Sequence, residues 1–164
     1  MKKYLALFAI AVLGVTGFAF AKSASVQETD SVNAVEAKEN KVKQMNKEMF
    51  ISEVFDYQNS SEWKFKGDKP AIIDLYADWC APCRMIAPIL KDLAAEYDGQ
   101  ITIYKVNVDK EKELAALFNV SSIPLLVFIP QEGTPQLMPG AADKATYKKA
   151  IDEFLLKKKA DEAK

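Results

Sequence analysis

Cys80 and Cys83 are the only cysteines in a chain of 164 residues, and no histidine accompanies them. Thiols two residues apart can close a small disulfide ring, supply half of a metal site, or do nothing. Zinc asks for about four ligands, and one cysteine pair without histidine gives half a set. Covalent haem attachment would need histidine after the second cysteine, where Arg84 stands. The absent histidines also remove the usual proton shuttle and every Cys-His or Ser-His arrangement. A bridge across two residues closes so short a loop that the chain-entropy model gives it little stabilising effect. Redox chemistry is therefore the reading favoured for the pair, with an inert staple as the plainer alternative.

The neighbouring elements say how such a pair would be held. Residues 71–77 form a short apolar run bounded by turn signals, the pattern of a strand buried on both faces. Asp74 interrupts it. A carboxylate there is costly unless neutral, paired or hydrated. The plainer reading puts Asp74 on an exposed face, but Ile72 and Tyr76, two residues away on the same side, argue against that. Pro82 suits the first turn of a helix. Met85, Ile86, Ile89, Leu90, Leu93 and Ala94 then recur at helical spacing up to Tyr97, and Gly99 ends the pattern. Pro88 lies inside and should kink the axis. Cys80 would thus stand at a helix N-terminus, where backbone N–H groups and the dipole favour a thiolate. Cys83, one turn on, is expected to be the more buried thiol. Cys80 would attack a substrate disulfide and Cys83 would resolve the mixed disulfide. With no histidine, Asp74 is the nearest candidate base for Cys83.

The rest of the chain reads as one ordinary domain with a separate front. Lys2 and Lys3 precede an apolar stretch over residues 4–20, and Ala19-Phe20-Ala21 offers a small-x-small cleavage site. Residues 1–21 are expected to be an export signal cut after Ala21, with an uncleaved membrane anchor as the alternative. Residues 22–45 are polar and are expected to be a linker. The domain is expected over 46–158, followed by a tail over 159–164. It opens with Asn46 capping a helix over 47–57. Strands are expected over 101–108, 125–129 and 136–138, and helices over 110–118 and 143–157. This order implies an α/β domain with a central mixed sheet covered by helices on both faces. The formal net charge of -1 offers no basic field for nucleic acid. Lys157-Lys158-Lys159 suits a helix C-terminus.

These residues resemble a thioredoxin, over roughly 46–156. The family pattern is an apolar strand with a buried acid, then Trp-Cys-x-Pro-Cys-Lys/Arg, then a kinking proline. Asp74, Trp79-Cys80-Ala81-Pro82-Cys83-Arg84 and Pro88 fit it. The resemblance implies the thioredoxin fold and a redox-active Cys80–Cys83 disulfide without further cofactor. It implies that Lys105 is the buried lysine that pairs with Asp74, and that Ile123-Pro124 carries a cis bond. It also implies a peptide groove around Trp79, Ala81, Pro82, Ile123, Pro124, Gly140 and Ala141, where an extended substrate adds as a strand. Three positions depart from the pattern: Ala81 for the usual Gly, Leu125 for Thr, and Tyr76 for Trp. The expected function is an exported thiol–disulfide oxidoreductase that reduces protein disulfides. Its expected electron donor is a membrane thiol transporter, and a monomer is expected. An envelope oxidase or isomerase and a non-catalytic peptide-binding module are the alternatives.

Overall fold

The computed structural model describes residues 41–158. The signal, most of the linker and the tail expected from the sequence lie outside these residues. Five strands form one sheet: β1 (Val42–Gln44), β2 (Ala71–Tyr76), β3 (Thr102–Asn107), β4 (Leu125–Ile129) and β5 (Gln136–Pro139). Their order is β1-β3-β2-β4-β5. The pairs β1·β3 and β2·β3 are parallel, and β2·β4 and β4·β5 antiparallel, so the sheet is mixed as expected.

β2 is the central strand, and its alternation divides the core. Ile73 and Leu75 point to one face, where Phe50, Val54, Tyr104, Val106, Leu114 and Val127 meet them. Ile72 points to the other, with Ile86, Leu90, Leu93, Leu126, Phe128, Tyr147 and Ile151. Helices α1 (Lys47–Glu53) and α3 (Lys112–Leu117) cover the first face. Helix α2 (Ala81–Glu96) and the last helix cover the second. That last helix, α4, is α-helical over Lys144–Lys149 and continues with wider π turns over Ala150–Leu155. Tyr147, Ile151 and Leu155 lie buried along its inner side.

Two boundaries differ from the sequence expectation. The polar linker expected over 22–45 yields its last residues to the sheet: β1 pairs in register with β3, Val42 opposite Ile103. Met45 N–H donates to the Lys105 carbonyl at 2.9 Å, and the Met45 side chain is buried. The ordered domain therefore includes residues 41–45. A three-residue edge strand has no length to show a period, and charge at such an edge, here Lys41 before it and Lys43 within it, deters unwanted pairing. The first helix stops at Glu53, short of residue 57. The N–H groups of Val54 and Phe55 both turn back to the Phe50 carbonyl, and Phe55 is buried against Trp63, ring centroids 4.8 Å apart. The Asn46 cap is as the sequence predicts, its side chain accepting from Met49 N–H at 2.9 Å.

A chain starting at Asn46 should be less stable than one starting at Lys41. Loss of buried Met45 alone should cost about 2–3 kcal/mol, before the lost pairing of β1. Urea unfolding of the two chains measures this; equal midpoints would show that β1 adds nothing.

Candidate active site

The site stands where β2 gives way to α2. Cys80 is the N-cap of α2, its backbone extended and its Sγ accepting from Cys83 N–H at 3.2 Å. Pro82 occupies the first turn, where a missing N–H costs nothing. Cys80 and Cys83 are joined by a disulfide with Cα atoms 5.3 Å apart. Both are almost wholly buried, at 2% and 3% exposure, so the oxidised pair does not separate an outer from an inner thiol as the sequence led us to expect. They pack with Ala77 into a small cluster, and Tyr76, Val108 and Ile123 lean on it.

Asp74 lies on the β2 face that α2 covers, in register between Lys105 of β3 and Leu126 of β4. It is 5% exposed, and its Oδ1 finds no hydrogen-bond partner among the described residues. Burial is the larger influence and raises its pKa to about 7, while the positive charge of Lys105 pulls the other way. Lys105 stands opposite Asp74, as the resemblance implied, yet the two form no ion pair within 4.0 Å among the described residues. The Lys105 ammonium instead sits 4.1 Å from the centre of the Tyr76 ring. Tyr76, where many relatives carry Trp, thus keeps an aromatic face for that cation. A cleft of about 260 Å³ opens beside the acid, lined by Val42, Asp74, Pro88, Lys91 and Lys105 among others.

Of the residues that the resemblance assigns to a peptide groove, the structure brings Pro124 and Gly140 together. The Ile123–Pro124 bond is cis. Gly140, at a φ of 83° that favours glycine, donates its N–H to the Pro124 carbonyl at 2.8 Å. This ties the start of β4 to the end of β5. Ile123 reaches the cysteine cluster and Pro124 is buried, whereas Ala81, Pro82 and Ala141 are exposed. Trp79 is 69% exposed, the most exposed of the large apolar side chains beside Met85. Its indole N–H donates to Asp109 Oδ2 at 2.9 Å. Sequence reasoning missed Asp78, Asn107 and Asp109 around it. The available signal was Asn107 itself, a polar residue on the inward period of β3.

Comparison with known proteins decides the family. The thioredoxin family profile matches residues 41–153. The chain belongs to the thioredoxin family. It is 42% identical over 110 residues to a thioredoxin of Borreliella burgdorferi, covering 67% of this chain and 94% of that one. It is 36% identical over 108 residues to the M-type chloroplastic thioredoxin of Spinacia oleracea, covering 64% of this chain and 59% of that longer protein. Among solved structures, chloroplastic thioredoxin z superposes with a TM-score of 0.56 at 24% identity, over 68% of this chain and 91% of that one, and bears on the fold alone. With the Cys80–Cys83 pair in place, the protein is a thiol–disulfide oxidoreductase.

The raised pKa of Asp74 has a measurable sign. In the folded protein Asp74 keeps its proton up to about pH 7, whereas a free aspartate loses it near pH 3.8. Between those values folding takes up a proton, so stability falls as pH rises from about 4 to about 7. Each unit in that window should cost about 1.4 kcal/mol from this group. Asp74→Asn removes the term: the variant should be more stable than the parent at pH 8, with the advantage fading towards pH 4. Chemical unfolding of the oxidised proteins across that range tests it, and parallel stability curves would contradict the assignment.

Proposed function

We propose that the protein is an exported reductase of protein disulfides. The observation that carries this reading is Cys80 at the N-terminus of a sixteen-residue helix with a buried carboxyl on the strand beneath. Reduced Cys80, favoured as a thiolate by the helix end, attacks one sulfur of a substrate disulfide. That S–S bond breaks, a mixed disulfide forms, and the other substrate sulfur leaves as a thiolate that takes a proton. Asp74 accepts the proton of Cys83, which attacks Cys80 Sγ and releases the second substrate thiol. The substrate gains two electrons and the protein ends as the Cys80–Cys83 disulfide. Lys105 modulates the charge at Asp74. Substrate is held along Trp79, Ala81, Pro82, Ile123, Pro124, Gly140 and Ala141.

Export is supported by Lys2 and Lys3, the apolar residues 4–20 and the Ala19-x-Ala21 pattern. A reductase outside the cytoplasm needs electrons from across the membrane, and a membrane dithiol transporter would supply them by reducing Cys80–Cys83. A mature N-terminus at Lys22, read by mass spectrometry of envelope fractions, is the result this reading requires.

The direction of electron flow is tested by equilibrating the Cys80–Cys83 couple with glutathione. A potential near about −270 mV is expected, and one near about −120 mV would establish an oxidant instead. Cys80→Ser should abolish reduction of protein disulfides. Asp74→Asn should slow release of the mixed disulfide by about tenfold or more while slowing attack by Cys80 much less, within the usual range for a lost general base. Rapid-quench measurement of the two steps separates them; equal slowing would remove Asp74 as the base.

A further inference from the structure

Only two polar or charged residues, Asp74 and Asn107, are buried among the described residues. The redox reading uses the first and leaves the second without a role. Asn107 ends β3, opposite Tyr76 in the register. Its side chain makes two bonds, both to the surroundings of Trp79. Nδ2 donates to Asp78 Oδ2 at 3.1 Å, and Oδ1 accepts from Asp109 N–H at 3.0 Å. Asp109 in turn accepts the Trp79 indole N–H. The Asp78 carbonyl accepts from Arg84 Nη1 at 3.1 Å, and Cys80 N–H donates to the Ala77 carbonyl at 3.1 Å. The two residues that precede Cys80 are therefore held from both sides, and the Asn107 amide joins the Asp78 carboxylate to the Asp109 backbone.

Exposure makes this bracing consequential. An indole that is 69% exposed gains little orientation from packing and would sample several rotamers on its own. One hydrogen bond to the carboxylate of a residue whose backbone N–H is held by a buried amide restricts it. The carboxylates of Asp78 and Asp109 are engaged by neutral donors, and neither forms an ion pair among the described residues. The amide of Asn107, and no mobile lysine, thus orients the Asp78 carboxylate and the Asp109 backbone that presents the other.

We propose that Asn107 is a positioning residue of the redox site, which through Asp78 and Asp109 fixes the Trp79 indole as a rigid wall for folded protein substrates. The inference rests on the reductase reading for its substrate. A fixed wall matters for a large partner that must dock, and much less for a small disulfide that reaches Cys80 without it.

Asn107→Ala in the full protein should lower kcat/KM for insulin disulfides about tenfold, the scale of one lost buried hydrogen-bond pair. Reduction of 5,5′-dithiobis(2-nitrobenzoate) should change far less, within about threefold on the scale of a surface change. Proton exchange at the Trp79 indole, followed by NMR, should quicken in the variant, while the buried Trp63 indole serves as the internal control. Asp78→Ala, at an exposed residue, guards against a folding defect in the first variant and should shift the same readouts in the same direction. The double variant should be no worse than Asn107→Ala alone, because both act through one bond. Equal losses on both disulfides with unchanged Trp79 exchange, or additive losses in the double variant, would overturn the proposal. The indole readout needs no turnover. It decides the role of Asn107 even if the wild-type protein leaves insulin unreduced, a result that would count against the reductase reading alone.

Discussion

A strand buried on both faces leaves no place for a charge, and β2 carries one. Asp74 sits at 5% exposure with an oxygen that has no partner among the described residues, at the centre of the sheet. An unpaired buried carboxylate costs several kcal/mol, so the group resolves the conflict by holding its proton. Much of the arrangement follows from where that proton is kept. The acid faces α2, the helix that carries both cysteines, and it stands opposite Lys105 with no salt bridge closed between them among the described residues. A closed pair would have fixed the carboxylate in its charged form and made it a poor proton acceptor near neutrality. The aromatic ring of Tyr76 takes up the lysine instead, which leaves the acid poised.

The opposite end of β3 solves a different problem with a neutral group. Asn107 is as buried as Asp74, yet every polar atom of its side chain is engaged. One strand face thus sets a lysine opposite Asp74 and, two residues on, an amide among the partners of Trp79. A satisfied amide gives direction without titrating; an unsatisfied acid titrates without giving direction. The site uses both.

Much of this was legible in the residues. The apolar run over 71–77, the helical spacing from Met85 to Tyr97, and Pro82 in the turn after Cys80 each rest on short-range rules, and each element lies where those rules put it. The cysteine pair, Asp74 and Asn46 were legible for the same reason, since their local context already states a cost or a cap. What escaped depends on contacts far apart in the chain. β1 is three residues long and draws its pairing from β3, some sixty residues later. The first helix ends early because Phe55 turns to meet Trp63. The opposed placement of Lys105 and Asp74 was visible through family resemblance, but the diversion of the lysine to Tyr76 is a matter of distance in three dimensions. Asn107 carried a signal, a polar side chain on an inward position, and Asp109 is its local partner, yet Asp78 becomes a partner only when β2 and β3 lie side by side.

The closing helix holds one more lesson, in its phase. Tyr147, Ile151 and Leu155 are spaced four and four. In an α-helix of 3.6 residues per turn, four residues overshoot a turn, and a row at that spacing drifts around the axis. In the wider turns of a π segment, where bonds span five residues, four residues fall short. Passing from α geometry at Lys149 to π geometry at Ala150 sets the second drift against the first. The second drift thus carries Leu155 back towards the line of Tyr147, and all three side chains stay buried on the inner side of the helix. The wide turns act as a vernier between the repeat of the sequence and the pitch of the backbone.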